Sequence, residues 1–283
     1  MSRPRLAVVG ECLIDIRPAG IRDEPRGDAA SLALAAARAD DRIEVCLATA
    51  LGDDPLSDSA SRTLAAAGVT MTFVQRLPGE LPALSVRAGR DPDEPLIWRN
   101  GTAIRRLFPV HPGYLRELAS SDTVALSATS IAVLPEGGRK TLLQLLRDAR
   151  GAGRRVALLL SANPTLWSEQ ESSGAIDRLL SLCSTVFASR RELQTLFGAL
   201  AGDAAIDALH ARGVTEVVVW DPATARSTAD RPDHSVRALA STGSHRVTRD
   251  GPSPHPAVLT GKFLARRMAG EEIETALSDA LRP

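Results

Sequence analysis

Short apolar runs alternate with amphipathic stretches along most of this chain. The apolar runs are rich in Val, Leu and Ala, a composition typical of strands that are buried on both faces. The intervening stretches place apolar residues at helical spacing. Strand–helix alternation of this kind predicts a mostly parallel sheet with helices on both faces. The predicted strands are Leu6–Val9, Glu44–Ala48, Thr123–Ser127, Arg155–Leu160, Thr185–Ala188 and Glu216–Trp220.

One region interrupts the alternation. Thr70–Gln75, Leu84–Ala88 and Leu96–Arg99 are short strand-like pieces separated by turn-forming residues, and they predict a small antiparallel flap that Leu13–Arg17 joins. The predicted helices occupy the other connections: Ala29–Ala39, Ser57–Ala67, Pro112–Leu118, Gly137–Ala152, Ser173–Leu182, Arg190–Leu196, Ala201–Arg212, Ala257–Ala269 and Glu272–Leu281.

Charge and cysteine usage narrow the function classes. The formal net charge is zero, and no basic stripe with interleaved aromatic residues occurs, so we expect no nucleic-acid partner. Cys12, Cys46 and Cys183 are widely spaced and form no CxxC pair, which predicts neither a disulfide framework nor a metal site. The apolar run at residues 6–10 is too short to span a membrane. We therefore expect a soluble, cytoplasmic protein.

Six weak motifs occur in a consistent order along the chain: Val8–Asp15, Arg26–Ala33, Leu51–Asp58, Trp98–Ala103, Leu126–Ser130 and Ala188–Leu193. Together they resemble the ribokinase/PfkB-type carbohydrate kinases. The resemblance implies a ribokinase-like three-layer α/β/α core with a mostly parallel sheet and a small β lid. It also implies one domain over residues 1–283, with the lid at about residues 12–20 and 70–103. Lid strands of this family often pair between subunits, which makes a homodimer through the lid one expectation and a monomer the alternative.

The segment from Arg249 to Gly261 departs from the family pattern. Family members carry Asp-Thr-x-Gly-Ala-Gly-Asp here, with glycine N–H groups facing the phosphate and the last aspartate acting as the base. Counting back from Gly261 places Pro256 at the base position and Asp250 at the first aspartate. Proline has no N–H and no proton acceptor. His255 or Asp250 is the substitute base, although a loop histidine and a turn or N-cap aspartate are the favoured interpretations.

The residues on the nucleotide side also differ from the family. Glu192 matches the glutamate of the Asn-x-x-Glu motif, but Ser189 stands in place of its asparagine. Ser253 falls on the first glycine of the anion-binding loop. Glu192 and Ser253 are therefore the candidate cofactor-binding residues, and a helix-start role is the alternative for Glu192. We expect no tightly bound cofactor, whereas an active kinase would bind ATP and Mg²⁺.

The sugar side keeps more of the pattern. Asp15, Gly27, Asp28, Ser31 and Arg99 are the candidate substrate-binding residues by resemblance. A carboxylate accepts hydrogen bonds from two adjacent hydroxyls, which suits a polyol or sugar-like ligand. The alternatives are a turn role for Asp15, N-capping by Asp28 and a solvated Arg99.

These patterns leave three hypotheses. The first is a ribokinase-fold protein that has lost efficient ATP-dependent phosphoryl transfer and binds a sugar-like ligand or a protein partner. The second is an active PfkB-type kinase that phosphorylates a sugar hydroxyl with ATP. The third is a different reaction that uses His255 or Cys12.

Overall fold

The computed structural model describes residues 3–22, 24–87, 95–108, 112–161, 166, 169–198, 203–222, 235–243, 245–252 and 254–282. Its strands are β1 Arg5–Val9, β2 Leu13–Arg17, β3 Gly20–Ile21, β4 Glu44–Leu51, β5 Val69–Thr70, β6 Val74–Arg76, β7 Ala83–Val86, β8 Leu96–Trp98, β9 Thr123–Ser127, β10 Arg155–Leu160, β11 Thr185–Ser189, β12 Glu216–Pro222, β13 Ser235–Ser241 and β14 Arg246–Pro252.

The helices cover the connections between these strands. A short 3₁₀ turn at Ala103–Arg106 follows β8. The α-helices are α1 Asp28–Ala39, α2 Pro55–Ala66, α3 Pro112–Ala119, α4 Ala128–Ala132, α5 Glu136–Gly151, α6 Glu169–Leu180, α7 Arg190–Phe197, α8 Asp203–Ala211, α9 Pro256–Met268 and α10 Ile273–Ala280.

Ten strands form the main sheet in the order β14-β13-β12-β11-β10-β9-β1-β4-β5, with β6 paired to β4. The pairs from β12 to β5 are parallel, and β13 and β14 add an antiparallel hairpin at one edge. Successive residues of β1 enter different apolar clusters, Ala7 and Val9 on one face and Leu6 and Val8 on the other. The prediction of a mostly parallel sheet with helices on both faces is confirmed.

The lid is a separate four-stranded sheet in the order β3-β2-β7-β8. Its β2 and β7 pair in parallel, while β7 and β8 are antiparallel. The assignment of Thr70–Gln75 to the flap is wrong, because β5 and β6 pair in parallel with β4 of the main sheet. Short strand-like runs look alike in sequence whichever sheet receives them.

The β13–β14 hairpin was not predicted. It places Arg249–Pro252 in an edge strand, where the sequence suggested a loop before the last long helix. Polar, turn-rich stretches carry little periodicity, so the pairing of β13 with β12 supplies the information that the local sequence lacks. Among the helices of the described ranges, none is long and apolar enough to cross a membrane.

Candidate functional site

The candidate site lies where the carboxyl ends of three neighbouring strands meet. β1, β9 and β10 are adjacent in the sheet, and the chain leaves them at Gly10, Ala128 and Ser161. The helices α1 and α9 pack together, and their N-termini lie close enough for the charge of Asp28 to act on His255. Ligands of open α/β sheets bind at this edge of the strands.

Gly27 and Asp28 begin α1 at the edge of the site. Gly27 is the N-cap residue and has φ 91°, a conformation that favours glycine. Asp28 is therefore the first helical residue, and the N-cap interpretation for it is wrong. Its carboxylate accepts a hydrogen bond from Ser161 Oγ at 2.6 Å, and Ser161 Oγ lies 3.2 Å from Thr129 Oγ1. The three side chains form a polar chain across the strand ends.

Glu11 and Arg99 form a buried ion pair beside β1. The guanidinium donates two hydrogen bonds of 2.7 Å to the two carboxylate oxygens. The side chains are only 3% and 11% exposed, respectively. The solvated interpretation of Arg99 is therefore wrong. The charge of Arg99 is matched by that of Glu11. The pair connects the segment that follows β8 of the lid to the segment that follows β1.

Asp15 lies on the lid with an excess of positive charge around it. Its fully buried carboxylate accepts hydrogen bonds from Ser85 Oγ at 3.1 Å and from Arg17 Nε at 3.0 Å. The guanidinium groups of Arg26 and Arg87 lie 3.7 and 3.6 Å from it. Burial opposes ionisation, but these hydrogen bonds and cations keep the pKa of Asp15 below its usual value. Three cations around one carboxylate leave the cleft side of the lid positive. Asp15 lies within strand β2, so its interpretation as a turn residue is wrong.

The N-terminus of α9 satisfies its own backbone donors. His255 is the N-cap residue, an exposed position just outside the helix that agrees with its interpretation as a loop histidine, and Pro256 at the first helical position has no N–H. The N–H of Ala257 donates to His255 Nδ1 at 3.3 Å. The N–H of Val258 donates to the carbonyl of His255 at 2.8 Å, and that of Leu259 to the same carbonyl at 3.1 Å. Over residues 256–259 no backbone N–H remains to bind a phosphate.

The state of the His255 ring also argues against a role as the base. Burial lowers the pKa of the ring, with the negative charge of Asp28 opposing that effect, which favours the neutral imidazole. A neutral imidazole that accepts at Nδ1 carries its proton on Nε2. The Nδ1 lone pair then faces the N–H of Ala257 at 3.3 Å, so a hydroxyl would have to displace that contact to reach it. The residues around α9 therefore do not fit the phosphate of a nucleotide in this arrangement.

The other described candidates on the nucleotide side, Asp250 and Glu192, bond to residues of their own hairpin or helix start. Asp250 is an exposed residue of β14 and pairs with Arg237 at 2.8 Å, so it is neither a turn nor an N-cap residue. Glu192 and Ser189 form a capping box at the start of α7, with Ser189 N donating to Glu192 Oε2 at 2.7 Å. Ser253 lies outside the described residues.

Ser31 lies one turn after Asp28 and lines a groove between α1 and α9.

Cys12 is buried, and burial together with the charge of Glu11 raises the pKa of its thiol to about 12. A thiol that stays protonated is a poor nucleophile, which removes the support for a reaction at Cys12.

Sequence reasoning missed several residues that the structure brings together here. Ser161, Thr129 and Glu11 join the site from three strand ends, and Ser85 contacts Asp15 from the lid. Arg26 belongs to the motif Arg26–Ala33, but nothing in that motif indicated its contact with Asp15. The contacts of the others depend on tertiary structure, which no local pattern reports.

Comparison with known proteins gives a consistent result. The family model for the pfkB family carbohydrate kinases matches residues 4–227. The chain is 31% identical over 229 residues to a 2-dehydro-3-deoxygluconokinase of Dickeya dadantii, covering 77% of this chain and 74% of that protein. It is 29% identical over 224 residues to the 2-dehydro-3-deoxygluconokinase of Escherichia coli K12, covering 76% and 72% of the two chains.

A solved structure of a PfkB family carbohydrate kinase from Listeria grayi superimposes with a TM-score of 0.81. It is 15% identical and covers 98% of this chain and 91% of its own. The ribokinase-like α/β fold implied by the sequence motifs is confirmed. The chain belongs to the PfkB family of carbohydrate kinases.

Proposed function

We propose that this protein binds a sugar acid in the cleft beneath the lid and transfers phosphate from ATP only very slowly. The single observation that carries the second part is the N-terminus of α9. There Pro256 stands at the base position, and the neighbouring N–H groups bond to His255. Losing an oxyanion donor costs about 10²–10³ in rate, and losing a general base about 10²–10⁴.

The choice of a sugar acid has two supports. The curated relatives are named 2-dehydro-3-deoxygluconokinases, and the substrate in that name is a carboxylated sugar. On the cleft side of the lid, the cations at Arg17, Arg26 and Arg87 exceed the charge of Asp15 by two. Guanidinium groups bind carboxylates well. The polar chain at Asp28 supplies acceptors for sugar hydroxyls.

A second candidate is an active kinase that phosphorylates such a sugar acid with ATP and Mg²⁺. The comparisons support this candidate better than a loss of activity, because the curated relatives are kinases. The proton acceptor would be His255 Nδ1, after its bond to Ala257 N breaks and the first turn of α9 rearranges.

A side-by-side assay separates the two candidates. With ATP, Mg²⁺ and 2-dehydro-3-deoxygluconate, we expect turnover at least about 10⁴-fold below that of the Escherichia coli relative, because base and donors are both missing. Calorimetry is expected to show saturable binding of the sugar acid and no binding of a neutral hexose. Turnover of the unmodified protein within tenfold of that of the relative would establish the active kinase.

Pro256→Asp alone is expected to leave turnover unchanged, since the N–H of Ala257 still donates to His255.

We also propose a homodimer through the lid. Register places Trp98 opposite Leu84, and Leu96 opposite Val86, on the same face. Ile21 joins this face through its pairing with Ile16, which is itself opposite Val86. Ile21, Leu96 and Trp98 are 52%, 68% and 56% exposed, respectively. An exposed apolar face of this kind is typical of an association surface.

Trp98→Glu is expected to convert the dimer to a monomer, because it would bury a charge in an apolar interface. Light scattering with size exclusion measures the mass. Gln144 is an exposed residue of α5, away from the lid. Gln144→Glu adds the same charge there and should leave the mass unchanged. A monomeric mass for the unmodified protein at high concentration would refute the proposal.

A further inference from the structure

A groove of about 530 Å³ runs between α1 and α9, and Ser31 and His255 line it near the two helix N-termini. Its floor is made of small aliphatic side chains from both helices, and its rim is basic. The basic side chains are Arg22, Arg26, Arg38 and Lys262. A cavity of this size lies within the range of small-molecule sites.

The positive charge of the groove is not balanced by its own carboxylates. Glu24 is the acidic residue of the lining, and it pairs with Arg38 at 2.6 Å. Lys262 Nζ donates to the backbone carbonyl of Arg282 at 2.6 Å, which is a neutral partner. Within the described part of the chain, Arg22 forms no ion pair, and Arg26 shares Asp15 with two other arginines.

The surroundings lower the pKa of two of these groups. Burial lowers the pKa of the Lys262 ammonium, against the opposing charge of Asp279. Burial also lowers the pKa of Arg26, and the nearby guanidinium groups of Arg22, Arg87 and Arg17 lower it further, against the opposing effect of Asp15. Like charges at close range raise the free energy of the empty groove, and a bound anion would relieve that repulsion.

We propose that this groove binds a small phosphorylated organic molecule; the groove shares Arg26 and Ser31 with the candidate sugar site but none of the polar chain of Asp28, Ser161 and Thr129. Guanidinium groups donate in pairs to phosphate oxygens, and a lysine adds a compact charge for the same group. The aliphatic floor would contact the organic part of the ligand. A molecule held by Arg38 of α1 and Lys262 of α9 would bridge the two helices whose N-termini carry Asp28 and His255.

Calorimetry with sodium pyrophosphate at constant ionic strength tests this proposal. We expect saturable binding to one site at millimolar concentration or below. Arg38→Gln and Lys262→Met are each expected to weaken it about tenfold, as lost charge-assisted hydrogen bonds do. Glu24→Gln is expected to strengthen it, because it removes the negative charge of the groove and releases Arg38.

Two control variants separate the groove from other sites. Ser161→Ala alters the sugar cleft, and Arg147→Gln removes an exposed arginine of α5, so both should leave pyrophosphate binding unchanged. Circular dichroism confirms that each variant is folded. Absence of saturable binding, or equal binding by all the groove variants, would overturn the proposal. Equally tight binding of citrate would overturn the assignment to phosphate and indicate a polycarboxylate site.

Discussion

Arg99→Met is expected to lower the free energy of unfolding by about 3–5 kcal/mol, because it leaves the Glu11 carboxylate buried without a partner. Glu11 is 3% exposed, and both of its oxygens accept from Arg99. Methionine keeps most of the aliphatic stem, so the effect reports the charge rather than lost volume. Urea denaturation followed by fluorescence or circular dichroism measures the change.

A double variant isolates the pair. Glu11→Gln combined with Arg99→Met removes both charges, and we expect it to recover much of the loss. Lys140→Met breaks the exposed ion pair with Glu136 and should leave the free energy of unfolding nearly unchanged. A loss for Arg99→Met as small as that of Lys140→Met would show that the Glu11–Arg99 pair is not buried as described.

Gly261→Ala is expected to destabilise the protein by about 1–3 kcal/mol or more, because α1 and α9 pack directly against each other at this glycine. A Cβ atom at position 261 would lie 2.3 Å from the carbonyl oxygen of Leu32 and 3.1 Å from Ala36 N. These are backbone atoms, so only a shift of a whole helix relieves the contact. That shift would also displace His255 and Asp28 at the two helix N-termini.

Gly174→Ala is the matched control for Gly261→Ala. Gly174 is an exposed helical glycine of α6, and a Cβ there would meet no atom within 4 Å. Alanine at that position should stabilise the protein by about 0.5–1 kcal/mol, as expected for helix interiors. Thermal or urea unfolding of both variants gives the comparison. Equal effects at the two positions would contradict the close packing of α1 on α9.

Local sequence patterns were sufficient to predict most of the core. Thr123–Ser127 and Arg155–Leu160 occur as strands with the bounds expected from their apolar runs. Runs this short favour a strand over a helix, and an uninterrupted apolar pattern is typical of a strand that is buried on both faces. The patterns failed for Thr70–Gln75, since the choice between lid and main sheet depends on which strand is nearby.

The sequence predicts a helix over residues 257–269, and α9 spans Pro256–Met268. Counting back from Gly261 places Pro256 at the position of the family's base by resemblance, and that alignment stays a prediction. The consequence for the neighbouring N–H groups was only partly visible. Proline at 256 predicts one missing donor, whereas the His255 ring as acceptor for Ala257 N–H depends on the folded cap.

The sequence by itself therefore determined the α/β fold and the family, because both depend on residue type and local spacing. Only the tertiary structure decided what the charged residues contact. Asp28 bonds to Ser161 at a separation of 133 residues, and Arg99 bonds to Glu11 at a separation of 88. Partners that far apart meet only when the strands are ordered in the sheet, so no local pattern specifies them.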